Sequence, residues 1–346
     1  MLRFLFTLGE VLAMCSTRRR GLTLVELLIV IAIISLLIQL ALPAVEVSRE
    51  SARRLSCQNN LRQMGLAAQM HVDTSKRFPT GGWHWNWVGD PDRGNDDRQP
   101  GGWIYNLLPY LELEDIHDLG AGKNLAAKKP FAAQLQSTPV ALFNCPSRRL
   151  PRPYANVRPQ EVINSDSTKF HARSDYAANG GDNFFPMGIS PTSYEHAESA
   201  EYEWRDMREM TGICFLRSMI GPQHVEDGLS HTYFAGEKYL NRDHYKTGDD
   251  IGDDFSMYQG ADFDVLRWTS ETDSIEYFGI HDQPNLPSQD RQAHTAALSF
   301  GSAHSSGWNA VLCDGSVQLM NYEVEGLVHR RLGNRHDQQQ IKSPQP

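Results

Sequence analysis

Arg20-Gly21-Leu22-Thr23-Leu24-Val25-Glu26, followed from Leu27 to Val45 by LLIVIAIISLLIQLALPAV, decides how the rest of this chain is read. The second part runs for nineteen residues without a charge, and only Ser35 and Gln39 dilute it. A helix of about 20 apolar residues rises far enough to cross a hydrocarbon core of about 30 Å, whereas a soluble core helix shows a polar residue every third or fourth position. The pattern therefore predicts a membrane-spanning helix over 22–45. Arg18, Arg19 and Arg20 stand just before it. Lys and Arg gather on cytoplasmic flanks, so the N-terminus is expected in the cytoplasm and everything past about residue 46 across the membrane. Glu26 is the exception in the span. An acid in lipid is costly unless it is paired, so it needs a named partner.

The flanks separate a signal anchor, a secretory signal peptide and a prepilin-type signal. A secretory peptide needs a shorter apolar region closed by small residues, which Pro43-Ala44 does not supply. Arg20 to Glu26 ahead of an apolar run resembles instead the N-terminus of type IV pilins and type II secretion pseudopilins. That resemblance implies cleavage by a prepilin peptidase after Gly21 and N-methylation of Leu22. It makes Glu26 the fifth mature residue and Pro43 a helix kink at the twenty-second. Leu22 stands where the family usually has Phe, and it keeps the apolar character. The freed amine of Leu22 would meet Glu26 of a neighbouring subunit, where neither charge is well hydrated. Snorkelling of Glu26 to the headgroups is the alternative. Met14 offers a second start, giving the short leader MCSTRRRG. Loss of residues 1–21 removes four arginines and Glu10, taking the net charge from -9 to -12.

Composition agrees with a globular exported part. The 346 residues are 40% hydrophobic and 22% charged, which excludes disordered and collagen-like chains. A negative net charge excludes a nucleic-acid partner, and a mean hydropathy of -0.47 excludes a polytopic membrane protein. Past Val45, no Gly or Pro breaks interrupt the chain before Pro79, apart from Gly65, and apolar residues become one-sided. Leu61, Met64 and Ala68 fall at helical spacing, as do Leu66 and Met70, with Arg53, Arg54 and Arg62 on the wet side. The membrane helix is expected to continue over 46–73 and to pack on a head spanning 74–330. The fold class is α+β: a long helix on an antiparallel sheet with long loops, as in pilins.

Within the head, strands are expected at 211–217, 231–236, 295–300, 308–313 and 316–321. Asp314-Gly315 reads as a type I′ hairpin turn. The polar, acidic stretch 241–292 reads as a surface insertion and 331–346 as a loose tail. Four tryptophans, Trp83, Trp85, Trp87 and Trp103, fit a core and, less well, a carbohydrate-stacking face. Five cysteines, Cys15, Cys57, Cys145, Cys214 and Cys313, form no CxxC pair, so no structural zinc is expected from spacing. Outside the cytoplasm Cys57 and Cys145 would either bridge helix to head, worth about 3 to 5 kcal/mol in the chain-entropy model, or stay as buried thiols. Cys214 and Cys313 would pair if their strands were adjacent.

His304, nine intervening residues and then Asp314-Gly315 resemble the H-x9-DG signature of a large bacterial family with prepilin-type N-termini and a main domain of unknown function. Further landmarks of that family appear in order: Ala52-Arg53-Arg54 with Cys57-x-Asn59-Asn60-Leu61, Phe78-Pro79, Leu108 to Glu112, Cys145-Pro146-Ser147, and Asp227 to Thr232 leading to Gly236-Glu237. The resemblance implies fold and location more than activity. No nucleophile elbow, HExxH, P-loop or Rossmann pattern accompanies His304 and Asp314, so an enzyme is not expected and a hydrolase built on that pair is the weakest reading. No cofactor is expected either. The acidic run Asp249 to Asp254 would suit calcium, but its spacing fits no EF-hand and reads as a solvated loop. The expected function is a pseudopilin-like subunit of a type II secretion or pilus-like filament. Its partners are prepilin peptidase, copies of itself or other pseudopilins, and inner-membrane lipid. The alternative is a recognition module displayed from the membrane.

Overall fold

The computed structural model describes residues 23–157, 162–184, 187–270 and 285–339. The chain divides into two compact units, Met1–Arg49 and Glu50–Pro346. One helix, Leu24–Ser75, contributes to both and keeps its helical assignment through Pro43. In the first unit the apolar side chains are bare: Ile33 is 52% and Leu40 67% exposed. Ser35 settles its hydroxyl on the Ile31 carbonyl at 2.7 Å, as a polar residue in an apolar helix must.

In the second unit the helix turns one face inward. Cys57, Leu61, Met64, Gly65, Ala67, Ala68, His71 and Val72 are buried. These are the i, i+4, i+7, i+8 positions of a single stripe. Leu66 and Met70, at the same spacing on another face, are 58% and 52% exposed, which corrects their expected inward placement. Arg62 is exposed, while Arg53 and Arg54 are half-buried.

The head is built on five strands: β1 (Tyr176–Gly181), β2 (Tyr233–Glu237), β3 (Leu266–Trp268), β4 (Trp308–Leu312) and β5 (Val317–Met320). Their order is β3-β1-β2-β4-β5. Neighbours are antiparallel except β1 and β3, which run parallel with Ala178 opposite Leu266. Alternate side chains serve the two faces, as strand geometry requires. Phe234 and Val311 join Leu61, Met64 and Ala68 of the long helix on one face. Tyr233, Ala310 and Leu312 join Phe300, Trp308 and Leu332 on the other.

Several expectations are corrected here. Residues 211–217 form turns rather than a strand, and 295–300 contributes only a bridge from Phe300 to Lys238. The hairpin at Asp314-Gly315 exists, but only Gly315 takes positive φ (84°). The Gly315 amide donates to the Leu312 carbonyl at 2.9 Å, so the loop is a three-residue turn closed by a glycine rather than type I′. The expected surface insertion 241–292 supplies β3 and is largely interior from Asp250 to Ser270; residues 271–284 lie outside the description. The expected tail is partly structural too. Helix Gly326–Gly333 packs on the sheet, and the Arg335 guanidinium donates to the Gly212 carbonyl at 2.9 Å. Residues 340–346 lie outside the description.

Trp83, Trp87 and Trp103 are buried, and each indole N–H has a partner: Asp97 O at 3.0 Å, Ser190 Oγ at 3.1 Å and Val265 O at 2.9 Å. Trp83 and Trp87 meet edge to face at 4.9 Å. Trp85 is half-buried and stacks on Phe255 at 5.2 Å. Trp83, Trp87 and Trp103 are core, which leaves of the four only the half-buried Trp85 for a carbohydrate-stacking face. The interior also holds buried ion pairs. Arg148 meets Asp290 at 2.8 Å, Arg149 meets Asp175 at 2.8 Å and also Asp253, and Lys238 meets Asp253 at 3.0 Å. Every one of these side chains is buried, so the pairing is obligatory.

Candidate functional site

The N-terminal motif divides at the edge of the described residues: the expected cut between Gly21 and Leu22 and the expected methylation of Leu22 fall outside them. Glu26 lies inside. Its Oε2 accepts from the Thr23 amide at 2.8 Å and the Thr23 hydroxyl at 2.9 Å, while the Glu26 amide donates to Thr23 Oγ1 at 3.2 Å. This reciprocal arrangement is a capping box, and it satisfies donors that the first helical turn otherwise leaves unpaired. Glu26 thus carries a local structural role that sequence reading missed, although Thr-x-x-Glu was there to be seen.

A second constellation lies inside the head. Cys57 projects from the inward stripe of the long helix, one turn before Leu61. Cys145 follows the turn Ala141–Phe143, and its amide donates to Asp175 Oδ2 at 2.7 Å. Glu237 ends β2, where its Oε2 accepts both the backbone amide and the side-chain amide of Asn309 on β4, at 2.8 and 2.9 Å. His304 follows strand residues Gly301–Ser302, with its carbonyl held by the Tyr322 hydroxyl at 2.7 Å. All four side chains are buried, and one donor atom from each lies within 4.8 Å of all the others.

The distances inside this cluster are short. The two sulfurs are 2.8 Å apart as free thiols. His304 Nε2 lies 3.7 Å from Cys145 Sγ and 3.4 Å from Glu237 Oε1, an oxygen with no hydrogen bond of its own. On the other side of the ring, Nδ1 meets Glu50 Oε1 at 2.5 Å. Glu50 is held in turn by Arg53 Nε at 2.9 Å and the Ser147 hydroxyl at 3.1 Å.

Electrostatics follow from these contacts. Burial alone would lower the His304 pKa, but contact with Cys145 and the Glu237 carboxylate carries it up to about 11. Burial raises the Cys145 thiol, yet hydrogen bonds from Cys57 and His304 outweigh it and leave Cys145 below its ordinary range. Cys57 is held up by its bond to Cys145 and by burial. Burial would raise Glu237 as well, but His304 holds it low. The cluster is a buried anionic pocket around one imidazole. Two thiols, one ring nitrogen and one carboxylate oxygen are a donor set that can hold a proton or a borderline divalent cation.

The other residues singled out from sequence are placed elsewhere. Asp314 is exposed and its Oδ1 accepts from the Ser316 amide at 2.8 Å, so it closes the hairpin and makes no pair with His304. That removes the basis for a hydrolase on His304 and Asp314. In the acidic run, Asp250, Asp253 and Asp254 are buried rather than solvated, and Asp253 is neutralised by Arg149 and Lys238. Asp250 accepts from the amides of Asn241 and Gly252. Cys214 and Cys313 are buried thiols, the first donating to the Pro79 carbonyl at 3.2 Å.

Two family models match the chain. One, described as protein of unknown function (DUF1559), covers residues 47–327, and the other, the prokaryotic N-terminal methylation motif, covers residues 16–38. No curated protein and no solved structure matches.

Proposed function

We propose, for a chain that belongs to the DUF1559 family and opens as a type IV pilin-like precursor of the kind processed by prepilin peptidase, that its mature form is a structural subunit assembled in or on a type II secretion or pilus-like filament. The observation that carries this reading is the methylation motif at 16–38, lying directly on a helix whose first part is apolar on every side. Such a segment is at home in lipid or among equally apolar helices. In this reading the peptidase cuts after Gly21, Leu22 is methylated, the triple arginine stays cytoplasmic and the head from residue 50 onward is exported.

Glu26 is then the pairing residue of assembly. Both bonds from Thr23 fall on Oε2, so an incoming Leu22 amine approaches Oε1 without dismantling the helix cap. Mass spectrometry of the mature N-terminus is the direct test: a methylated Leu22 is expected, and an intact Arg18-Arg19-Arg20 would sink the reading. For assembly, Glu26→Gln should still be cut but should drop out of filaments. Normal incorporation of that variant would refute the pairing role.

A further inference from the structure

We infer that Cys57, Cys145, Glu237 and His304 form a closed zinc site that fastens the long helix to the sheet of the head. The inference is independent of whether the chain enters a filament. Four observations converge on it. The first is the donor set: two sulfurs, an imidazole nitrogen and a carboxylate oxygen are ligands zinc takes, and thiols exclude calcium and magnesium. The second is shape. Zinc bonds of about 2.0 to 2.3 Å span tetrahedral edges of about 3.3 to 3.8 Å. The Nε2 to Oε1 edge is 3.4 Å and the Nε2 to Sγ edge of Cys145 is 3.7 Å. Of these three edges the sulfur pair, at 2.8 Å, must open by about 1 Å to reach the length that two such bonds require.

Third, Glu237 Oε1 is a fully buried carboxylate oxygen with no hydrogen bond, facing the other donors, while its sister Oε2 is fixed twice by Asn309. Its neighbour His304 Nε2, at 3.4 Å, is too far to satisfy a buried acceptor by a normal hydrogen bond. Fourth, the supporting contacts are those that orient a metal-bound imidazole. Glu50 takes Nδ1–H, which sets the tautomer and turns Nε2 toward the centre. Arg53 and Ser147 fix Glu50 in turn.

On binding, Zn²⁺ enters as the dication. The two thiols release two protons to solvent and Nε2 gives up its proton, while Nδ1–H stays on Glu50. All four donors are buried, so no coordination position is left for substrate and the site is structural rather than catalytic. A Cys57–Cys145 disulfide would need the same sulfurs, an external oxidant, and neither Glu237 nor His304.

The test uses the full chain, purified in detergent without chelator and loaded with zinc or cobalt alone. Elemental analysis should give one zinc per chain. Cobalt should show the visible bands of tetrahedral coordination together with thiolate-to-cobalt charge transfer. Glu237→Gln and Cys57→Ser should lower occupancy, and Glu50→Gln, which keeps all four ligands, should weaken zinc binding about 10- to 100-fold. Zinc-free protein after loading would overturn the site, as would cobalt without thiolate bands. So would recovery of a Cys57–Cys145 disulfide peptide from protein isolated directly from its membrane.

Discussion

Gly65 lies where the long helix meets the β4–β5 hairpin: a Cβ there would sit 2.7 Å from Val311 Cγ2 and 3.2 Å from the Gly315 backbone. Helix propensity favours Ala over Gly by about 1 kcal/mol, whereas overpacking typically costs about 1 to 3 kcal/mol, and a rigid hairpin backbone cannot yield. Gly65→Ala should therefore destabilise the head in a denaturant melt, and a raised midpoint would show that the hairpin gives way. The buried histidines make a second residue-scale prediction. Burial holds His71, His84 and His171 down to about 4 and His329 to about 3. A depressed folded pKa means that the unfolded chain binds more protons, so this stability is complete above about pH 6.5 and is lost as pH falls toward 4. Melting temperature should drop between pH 6.5 and 4.5; a flat profile there would contradict it. The zinc donors were legible only as separate words. Cys57, Cys145, Glu237 and His304 each stand in a landmark of the family pattern, but spacing rules detect ligands that are near in sequence, and these meet only through the fold.

The long helix was legible because its apolar pattern changes from continuous to one-sided without a break. Its inward face was not fully legible, since Leu61/Met64/Ala68 and Leu66/Met70 fit a helix equally well and only the sheet chooses between them. That choice is measurable. Leu61→Ala should cost about 2 to 5 kcal/mol, as for a buried leucine, while Leu66→Ala should stay within about 0.5 kcal/mol. Equal effects would mean that the helix packs on a different face. The strands divide the same way. β4 and β5 announce themselves as short apolar runs on either side of the Asp314-Gly315 turn signal. β1, Tyr176-Ala-Ala-Asn-Gly-Gly, is made of poor strand formers, and β3 is three residues inside a polar run. Both are strands because neighbours bury and pair them, which is tertiary context rather than local preference.

Across the whole molecule, a five-stranded sheet organises a head made largely of loops, and buried ion pairs tie those loops to it. Lys238 shows how: its ammonium donates to the carbonyls of Gly252 and Asp264 at 2.7 Å each and meets Asp253 at 3.0 Å. Lys238→Met would take the ammonium from the Asp264 carbonyl, leave the Gly252 carbonyl only its 3.4 Å contact with Arg267, and weaken the neutralisation of Asp253. Removing one partner of a buried pair typically costs about 3 to 5 kcal/mol, so the head should melt far earlier or fail to accumulate. A change below about 1 kcal/mol would show that Arg149 alone suffices. Cooperative closure of this kind also depends on the far end of the chain. Leu332 completes the apolar layer behind the sheet, Gly333 accepts from Asn179 of β1 at 2.8 Å, and Arg335 secures the loop at Gly212. A ribosome makes these residues after everything they pack against. The nascent head therefore gains its last apolar cover and these two hydrogen bonds only once residue 335 has emerged.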